Sequence, residues 1–287
     1  MEQQVHWTAE GLRFAGMVHV PDDVKAGERR AAFLLLHGFG SSKASETMKT
    51  VARLFASLGY VALRFDMRGC GESDGERGRV ICLEQVRDTG HALEFLAQHG
   101  NVDAKRIGVF GHSFGAAVAV YAAGTNPRIA ACISSGGWGD GEKKFRKQHE
   151  SPEAWQRFGA MLEEGRRRAQ RGESMKVPRF DIVPIRPELR GTLAPGSILE
   201  FPFEVVESMY AFTANEVVGA IAPRPLLLLH PANDSVTPTE QSIELFLHAG
   251  QPTDLHLFAD VDHFLFSDAN PMVLGVVRDW LARCFPA

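Results

Sequence analysis

Ile107-Gly108-Val109-Phe110-Gly111-His112-Ser113-Phe114-Gly115-Ala116-Ala117-Val118 decides how this chain is read. An apolar run that reads as a buried strand, 107–110, passes through Gly-His-Ser-Phe-Gly into a small-residue run, 116–123, that reads as a helix. A G-x-S-x-G turn between strand and helix forces its serine into a strained backbone conformation that holds the hydroxyl clear of the chain. The flanking glycines let helix and strand approach without a Cβ clash. The same turn sets the Phe114 amide at a helix start, where an unpaired N–H and the helix dipole favour developing negative charge. Ser113 is therefore a candidate nucleophile, and the Phe114 N–H half of a candidate oxyanion hole. Five residues alone also fit a glycine-rich turn with a surface serine, so the weight falls on the rest of the chain.

Working outward, residues 5–20 alternate around Glu10-Gly11 and read as an antiparallel hairpin, and 21–30 as a polar connection. Short aliphatic strands then alternate with helices: strand 32–36, helix 46–58, strand 61–65, helix 83–98, strand 107–110, helix 114–123 and strand 129–134. That order predicts an α/β fold, a mostly parallel twisted sheet with helices on both faces. At Gly136 the alternation stops. It resumes at Pro225 with strand 225–229, helix 239–249, strand 254–258 and helix 271–284. The core is thus 1–135 with 216–287. The insert 136–215, with helices expected at 152–169 and 203–212, reads as a lid over the C-terminal edge of the sheet, where open α/β folds bind ligands. A peripheral decoration away from the site is the alternative.

With 287 residues, 45% of them hydrophobic, the chain can bury one large core with a subdomain. Apolar runs are strand-sized, far below the roughly 20 residues a membrane helix needs, so no membrane association is expected. The N-terminus shows neither a basic nor an apolar leader segment, and a cytoplasmic location is expected. Four cysteines, Cys70, Cys82, Cys132 and Cys284, form no C-x-x-C pair and have no histidine at a ligand interval; reduced thiols are expected. Net charge is −4, yet residues 140–190 carry 13 Lys and Arg against 9 Asp and Glu. The run Arg166-Arg167-Arg168 reads as a solvated helix face, and no nucleic-acid partner is expected. Self-association as a homodimer is left open.

A serine hydroxyl needs a base within hydrogen-bond reach, itself oriented by a carboxylate. His263 follows strand 254–258, and Asp234 follows strand 225–229; both loops leave the sheet at the edge where Ser113 sits. The order Ser113, Asp234, His263 is nucleophile, acid, base. Asp234 also suits an Asx turn before Val236, and Asp262, Asp260 and Asp140 are rival acids. A second oxyanion donor is expected from the loop His37-Gly38-Phe39-Gly40 after the first parallel strand, at the Phe39 amide.

With these motifs together the chain resembles the α/β-hydrolase superfamily over nearly all its length except the insert. It combines His37-Gly38-Phe39-Gly40, the loop Asp66-Met67-Arg68-Gly69-Cys70-Gly71-Glu72-Ser73-Asp74-Gly75, the serine turn, Asp234 and His263. Within it, the chain is most similar to bacterial carboxylesterases of the dienelactone-hydrolase and cinnamoyl or feruloyl esterase type. The resemblance implies an α/β-hydrolase fold, a structural role for loop 66–75 including Arg68 and Asp74, and hydrolysis of a small-molecule ester without metal or organic cofactor. Amide, thioester, lactone or carbon–carbon bonds yield to the same triad, and a non-catalytic receptor is the rival from another class. A gating-domain peptidase finds no room in this length, and chemistry needing a carboxylate nucleophile does not fit a serine at 113. The long, basic insert departs from the pattern. Its Trp138, Trp155, Phe180, Phe201, Phe203, Met209, Tyr210 and Phe212 are expected as pocket or lid core, and Arg179, Arg186 or Arg190 as a partner for a substrate carboxylate.

Overall fold

A computed structural model describes residues 1–25, 27–266 and 269–287, so residue 26 of the connection 21–30 lies outside the described residues. β1 (Glu2–Ala9) and β2 (Leu12–His19) form the expected hairpin, turning at Glu10 and Gly11 with φ of 50° and 75°. Two successive positive φ values match the right-handed twist of the strands they join. Then come β3 (Arg30–Leu36), α1 (Glu46–Ser57), β4 (Val61–Phe65), α2 (Cys82–Ala97), β5 (Val102–His112), α3 (Phe114–Thr125) and β6 (Ile129–Ser135). The insert holds α4 (Gly141–Gln148), α5 (Pro152–Gln170), β7 (Lys176–Pro178), α6 (Arg179–Ile182), β8 (Glu200–Pro202) and α7 (Phe203–Tyr210). After it, β9 (Leu226–Pro231), α8 (Glu240–His248), β10 (Thr253–Phe258) and α9 (Pro271–Cys284) complete the chain.

The strands form one eight-stranded sheet in the order β1-β2-β4-β3-β5-β6-β9-β10, antiparallel at β1, β2 and β4 and parallel from β4 onward. This is the α/β-hydrolase fold. Its strands are continuous apolar runs because both faces are covered: Phe33 and Leu35 pack with Phe55 and Trp280, while Leu34 and Leu36 pack with Leu63 and Val118. Since β3, β5, β9 and β10 run parallel, the loops beyond their C-terminal ends share one rim.

Several expectations need correcting. β5 begins at Val102 rather than 107, because Arg30 pairs with Val102 across a register shift that the aliphatic pattern does not reveal. Within the insert, α4 was not anticipated: Gly-Glu-Lys-Lys-Phe-Arg-Lys-Gln is nearly all polar, and its signal is a cap, the Asp140 carboxylate accepting from the Lys143 N–H at 3.0 Å. Asp140 thus caps a helix, and the carboxylate that meets His263 is that of Asp234. The short pair β7–β8 was also missed. The arginine run behaves as expected: Arg166 pairs with Glu207, and Arg167 and Arg168 with Glu164.

Loop 66–75 is held from below by buried charge. Arg68 donates to both oxygens of Asp88, from Nε at 2.7 Å and from its backbone N–H at 2.9 Å, and Asp88 has no exposure. Removing one partner of such a pair leaves a poorly solvated charge. Asp88→Ala is expected to lower unfolding free energy by about 3 kcal/mol, the low end for a broken buried pair, because Glu10 remains beside Arg68. Urea unfolding checks it; a change below about 1 kcal/mol is the range of an exposed pair.

A second buried charge lies in the insert. Lys144 is 1% exposed, its Nζ sits 3.8 Å from the centroid of Phe145 and 4.6 Å from that of Trp138, and it has no hydrogen-bond partner among the described residues. Burial pushes its pKa down to about 7. The folded state therefore keeps this amine neutral at pH values where the unfolded chain protonates it. The resulting penalty vanishes above the ordinary lysine pKa, grows as pH falls towards 7, and is constant below that. Lys144→Met is expected to flatten this slope and to raise stability by about 4 kcal/mol at pH 7. Denaturation of both proteins between pH 7 and 10 reads the difference, and parallel curves would contradict it.

Candidate active site

Ser113 sits between β5 and α3 with φ 55° and ψ −117°, a backbone conformation that side chains other than glycine's rarely adopt. The turn is closed tightly: a Cβ on Gly111 would collide with the Gly115 carbonyl oxygen, and one on Gly115 with that of Leu36. These two positions require glycine because helix α3 is pressed against the ends of β5 and β3. Strain here serves presentation of the hydroxyl, and the Ser113 N–H is anchored on the Ser135 carbonyl at 2.8 Å.

The residues anticipated as base and acid meet this hydroxyl. Ser113 Oγ lies 2.8 Å from His263 Nε2, and His263 Nδ1 lies 2.8 Å from Asp234 Oδ2. His263 is 2% exposed and the Asp234 carboxylate is not exposed at all. Asp234 follows both readings of its position, one with each oxygen. Oδ1 accepts from the N–H groups of Val236 and Thr237 at 2.7 and 2.9 Å, fixing the loop, while Oδ2 faces the imidazole. Burial alone would raise this carboxyl; the imidazoles of His263 and His230 outweigh it and hold the group well below the usual carboxylate range.

Two residues that sequence reasoning missed support this pair. His230, the fifth residue of β9, lies with Nε2 3.0 Å from the Thr237 carbonyl and 3.2 Å from Asp234 Oδ2, both acceptors, so Nε2 carries its proton and Nδ1 accepts from Ser242 at 2.6 Å. Asp262, weighed only as a rival acid, instead ties loops together: it accepts from the Ser235 N–H at 2.9 Å, the Ser235 hydroxyl at 2.7 Å and the His263 N–H at 2.7 Å. No sequence signal separates these roles, since each depends on loops distant in the chain. Asp260 takes φ 59° in the turn before them.

The glycine loop lies against the serine, with a Cβ built on Gly38 falling 3.6 Å from Ser113 Cβ. The N–H groups of Phe39 and Phe114 have no hydrogen-bond partner among the described residues. His37 explains the orientation of the first: its Nδ1 donates to the Gly38 carbonyl at 2.9 Å and its Nε2 accepts from the Met67 N–H at 3.3 Å. Holding the Gly38 carbonyl fixes the peptide plane whose other end is the Phe39 N–H. Burial lowers the pKa of His37, which keeps the ring in the neutral tautomer this pattern requires. Such an arrangement can deprotonate an alcohol and receive an oxyanion on two main-chain donors.

A cavity of about 500 Å³ opens onto Ser113 and His263. From the insert its wall takes Arg179, Val183, Ile185 and residues 191–195, and none of the eight insert aromatics and methionines named above. Those pack with the hydrophobic core of the insert and the sheet. The three arginines are spent elsewhere as well. Arg179 donates to two main-chain carbonyls, Arg186 pairs with Asp262 at 2.9 Å, and Arg190 donates to the Ile185 carbonyl. Cys70, in the loop 66–75, is a buried free thiol outside the cavity wall, and burial raises its pKa. His112 does line the cavity, and burial beside His263 pushes it down to about 3, so this ring stays neutral. No helix among the described residues is long and apolar enough to cross a membrane.

Comparison with known proteins agrees with this architecture. The model of the "Alpha/beta hydrolase family" matches residues 33–273. A protein named polyketide transferase grgF, from a Penicillium species, is 26% identical over 289 residues, covering 96% of this chain and 94% of that one. One named thiohydrolase, from Eupenicillium brefeldianum, is 26% identical over 291 residues, covering 96% and 92%. The crystal structure of alpha/beta hydrolase GrgF from Penicillium sp. sh18 superposes with a TM-score of 0.81 at 23% identity over 99% of both chains. That of Est1E from Butyrivibrio proteoclasticus with ferulic acid bound gives 0.72 at 16% identity over 99% of this chain and 100% of that one.

Proposed function

The chain belongs to the alpha/beta hydrolase family, and on that premise we propose that it is a serine hydrolase cleaving carboxylic esters through a covalent acyl-enzyme. The observation that supports this reading most is the continuous line of contacts from Asp234 through His263 to Ser113, two contacts of 2.8 Å each. Ser113 Oγ adds to the substrate carbonyl while His263 Nε2 takes its proton, and the oxyanion rests on the Phe39 and Phe114 N–H groups. Collapse of the tetrahedral adduct expels the alcohol, which leaves with the proton from His263. Water, deprotonated by the same imidazole, then releases the acid and restores the serine.

The insert 136–215 acts as a lid in this reading, since Val183, Ile185 and Leu193 wall the cavity above the serine. A wall whose exposed surface is mainly apolar, enclosing about 500 Å³, suits a medium-chain or aromatic acyl group. A thioester as the bond cleaved, or an acceptor other than water, is the second reading. It is favoured by the names of the two full-length relatives, a thiohydrolase and a polyketide transferase.

Matched substrates test both. A p-nitrophenyl ester and an acyl thioester sharing one acyl group are expected to turn over at a common kcat when deacylation limits, because both give the same acyl-enzyme. Adding a small alcohol is expected to divert acyl groups into a new ester. No turnover of either substrate would remove the proposal; turnover of the thioester alone would select the second reading.

A further inference from the structure

We propose that Arg179, a residue of the insert, is a positioning residue for the oxyanion hole: it fixes the loop that presents the Phe39 N–H. The inference rests on the proposed hydrolase reading, in which that N–H is a donor to the oxyanion.

Three consecutive carbonyls of the glycine loop are each held in place. Gly38 O accepts from His37 and from the Ser41 N–H, both groups of the core. The next two are held by the insert. Phe39 O accepts from Arg179 Nη2 at 2.7 Å, and Gly40 O accepts from the Ile198 N–H at 2.9 Å. The same guanidinium donates from Nη1 to the Ile198 carbonyl at 2.9 Å, and the Arg179 main-chain N–H donates to the Leu199 carbonyl at 2.7 Å, so this one residue ties the segment just before β8 to the loop. Phe201 completes the clamp. Its ring stacks on Phe39 with centroids 4.0 Å apart, and Gly40, at φ 52°, leaves no room for a Cβ against it.

The electrostatics are those of a functional group rather than a structural tie. Arg179 is 4% exposed and forms no ion pair among the described residues, and its Nε has no partner. A buried cation without a carboxylate is costly to keep. Here it stands one hydrogen bond from the residue whose N–H meets the oxyanion, where positive charge is most useful while the tetrahedral adduct exists. A neutral side chain of similar length could pack the site, but it could not hold two carbonyls in a fork. Because the arginine belongs to the insert, the hole is complete only while segment 176–202 is seated on the loop.

The test uses Arg179→Met and Arg179→Lys in the full chain, with an ester that the wild type turns over and an alkyl boronic acid whose serine adduct carries an oxygen into the hole. Arg179→Met is expected to lose about 100-fold in kcat with KM nearly unchanged, and boronate binding is expected to weaken by the same factor as kcat/KM. Arg179→Lys should recover part of both. An unchanged kcat, a rise in KM alone, or boronate affinity held while kcat falls would overturn the proposal. A loss confined to anionic esters would instead make Arg179 a substrate anchor, and failure of both variants to fold would make it a structural residue. Absence of wild-type turnover is scored first and counts against the hydrolase reading, not against Arg179 alone.

Discussion

Ser113→Ala is expected to lower kcat by about 10⁶, His263→Ala by nearly as much, and the double variant by no more than the worse single one. The reason is geometric. In the proposed reaction the serine acts only as the alkoxide that His263 creates, and the imidazole acts only through that hydroxyl, 2.8 Å from its Nε2. Removing either member removes the same step, so the losses do not add. What remains, about 10³-fold over water, comes from the oxyanion donors and from substrate binding, which neither substitution touches. Ser113→Ala removes only a hydroxyl, so the thermal stability of that variant should barely change. Additive losses in the double variant would mean that the two residues act in separate steps.

Asp234→Asn is expected to cost about 10⁴ in kcat while leaving the loop intact. An asparagine can keep accepting the Val236 and Thr237 N–H groups with its oxygen, as Oδ1 does now. Its amide nitrogen must then face His263 Nδ1 and His230 Nε2, the two rings that now meet Oδ2. Two N–H groups cannot donate to a third donor, so His263 turns to the tautomer with its proton on Nε2. That proton points at Ser113 and disables the base. The expected signature is a large fall in kcat with unchanged KM. Retention of a tenth or more of the activity would move the acid to another residue.

Much of this could be read from the chain because the relevant signals are local. The serine turn needs Gly111 and Gly115 within one strand–helix junction, and the two loops carrying Asp234 and His263 follow aliphatic strands whose parallel order puts them on one rim. The loop His37-Gly38-Phe39-Gly40 is legible as well, since it directly follows the buried strand β3. Non-local contacts were beyond reach. His230 looks like one more strand residue until Thr237 and Ser242 fold back over it, and Asp262 resembles a rival acid until Ser235 reaches it from 27 residues away. The insert was the least legible part. Its aromatics were sorted by composition, yet the cavity wall is drawn from Val183, Ile185 and residues 191–195, and Arg179 is committed to main-chain carbonyls rather than to a substrate carboxylate. Which face of such a segment turns inward is set by its seating on the sheet, and periodicity carries no record of that.

The most direct measurement is the mass of the enzyme caught during turnover. Wild type mixed with an excess of activated ester, acid-quenched within milliseconds and digested, is expected to carry one acyl group on the peptide containing Ser113, whether an ester or a thioester delivered it. Product formed at full rate with that peptide unmodified, or with the acyl group on a different side chain, would contradict the account.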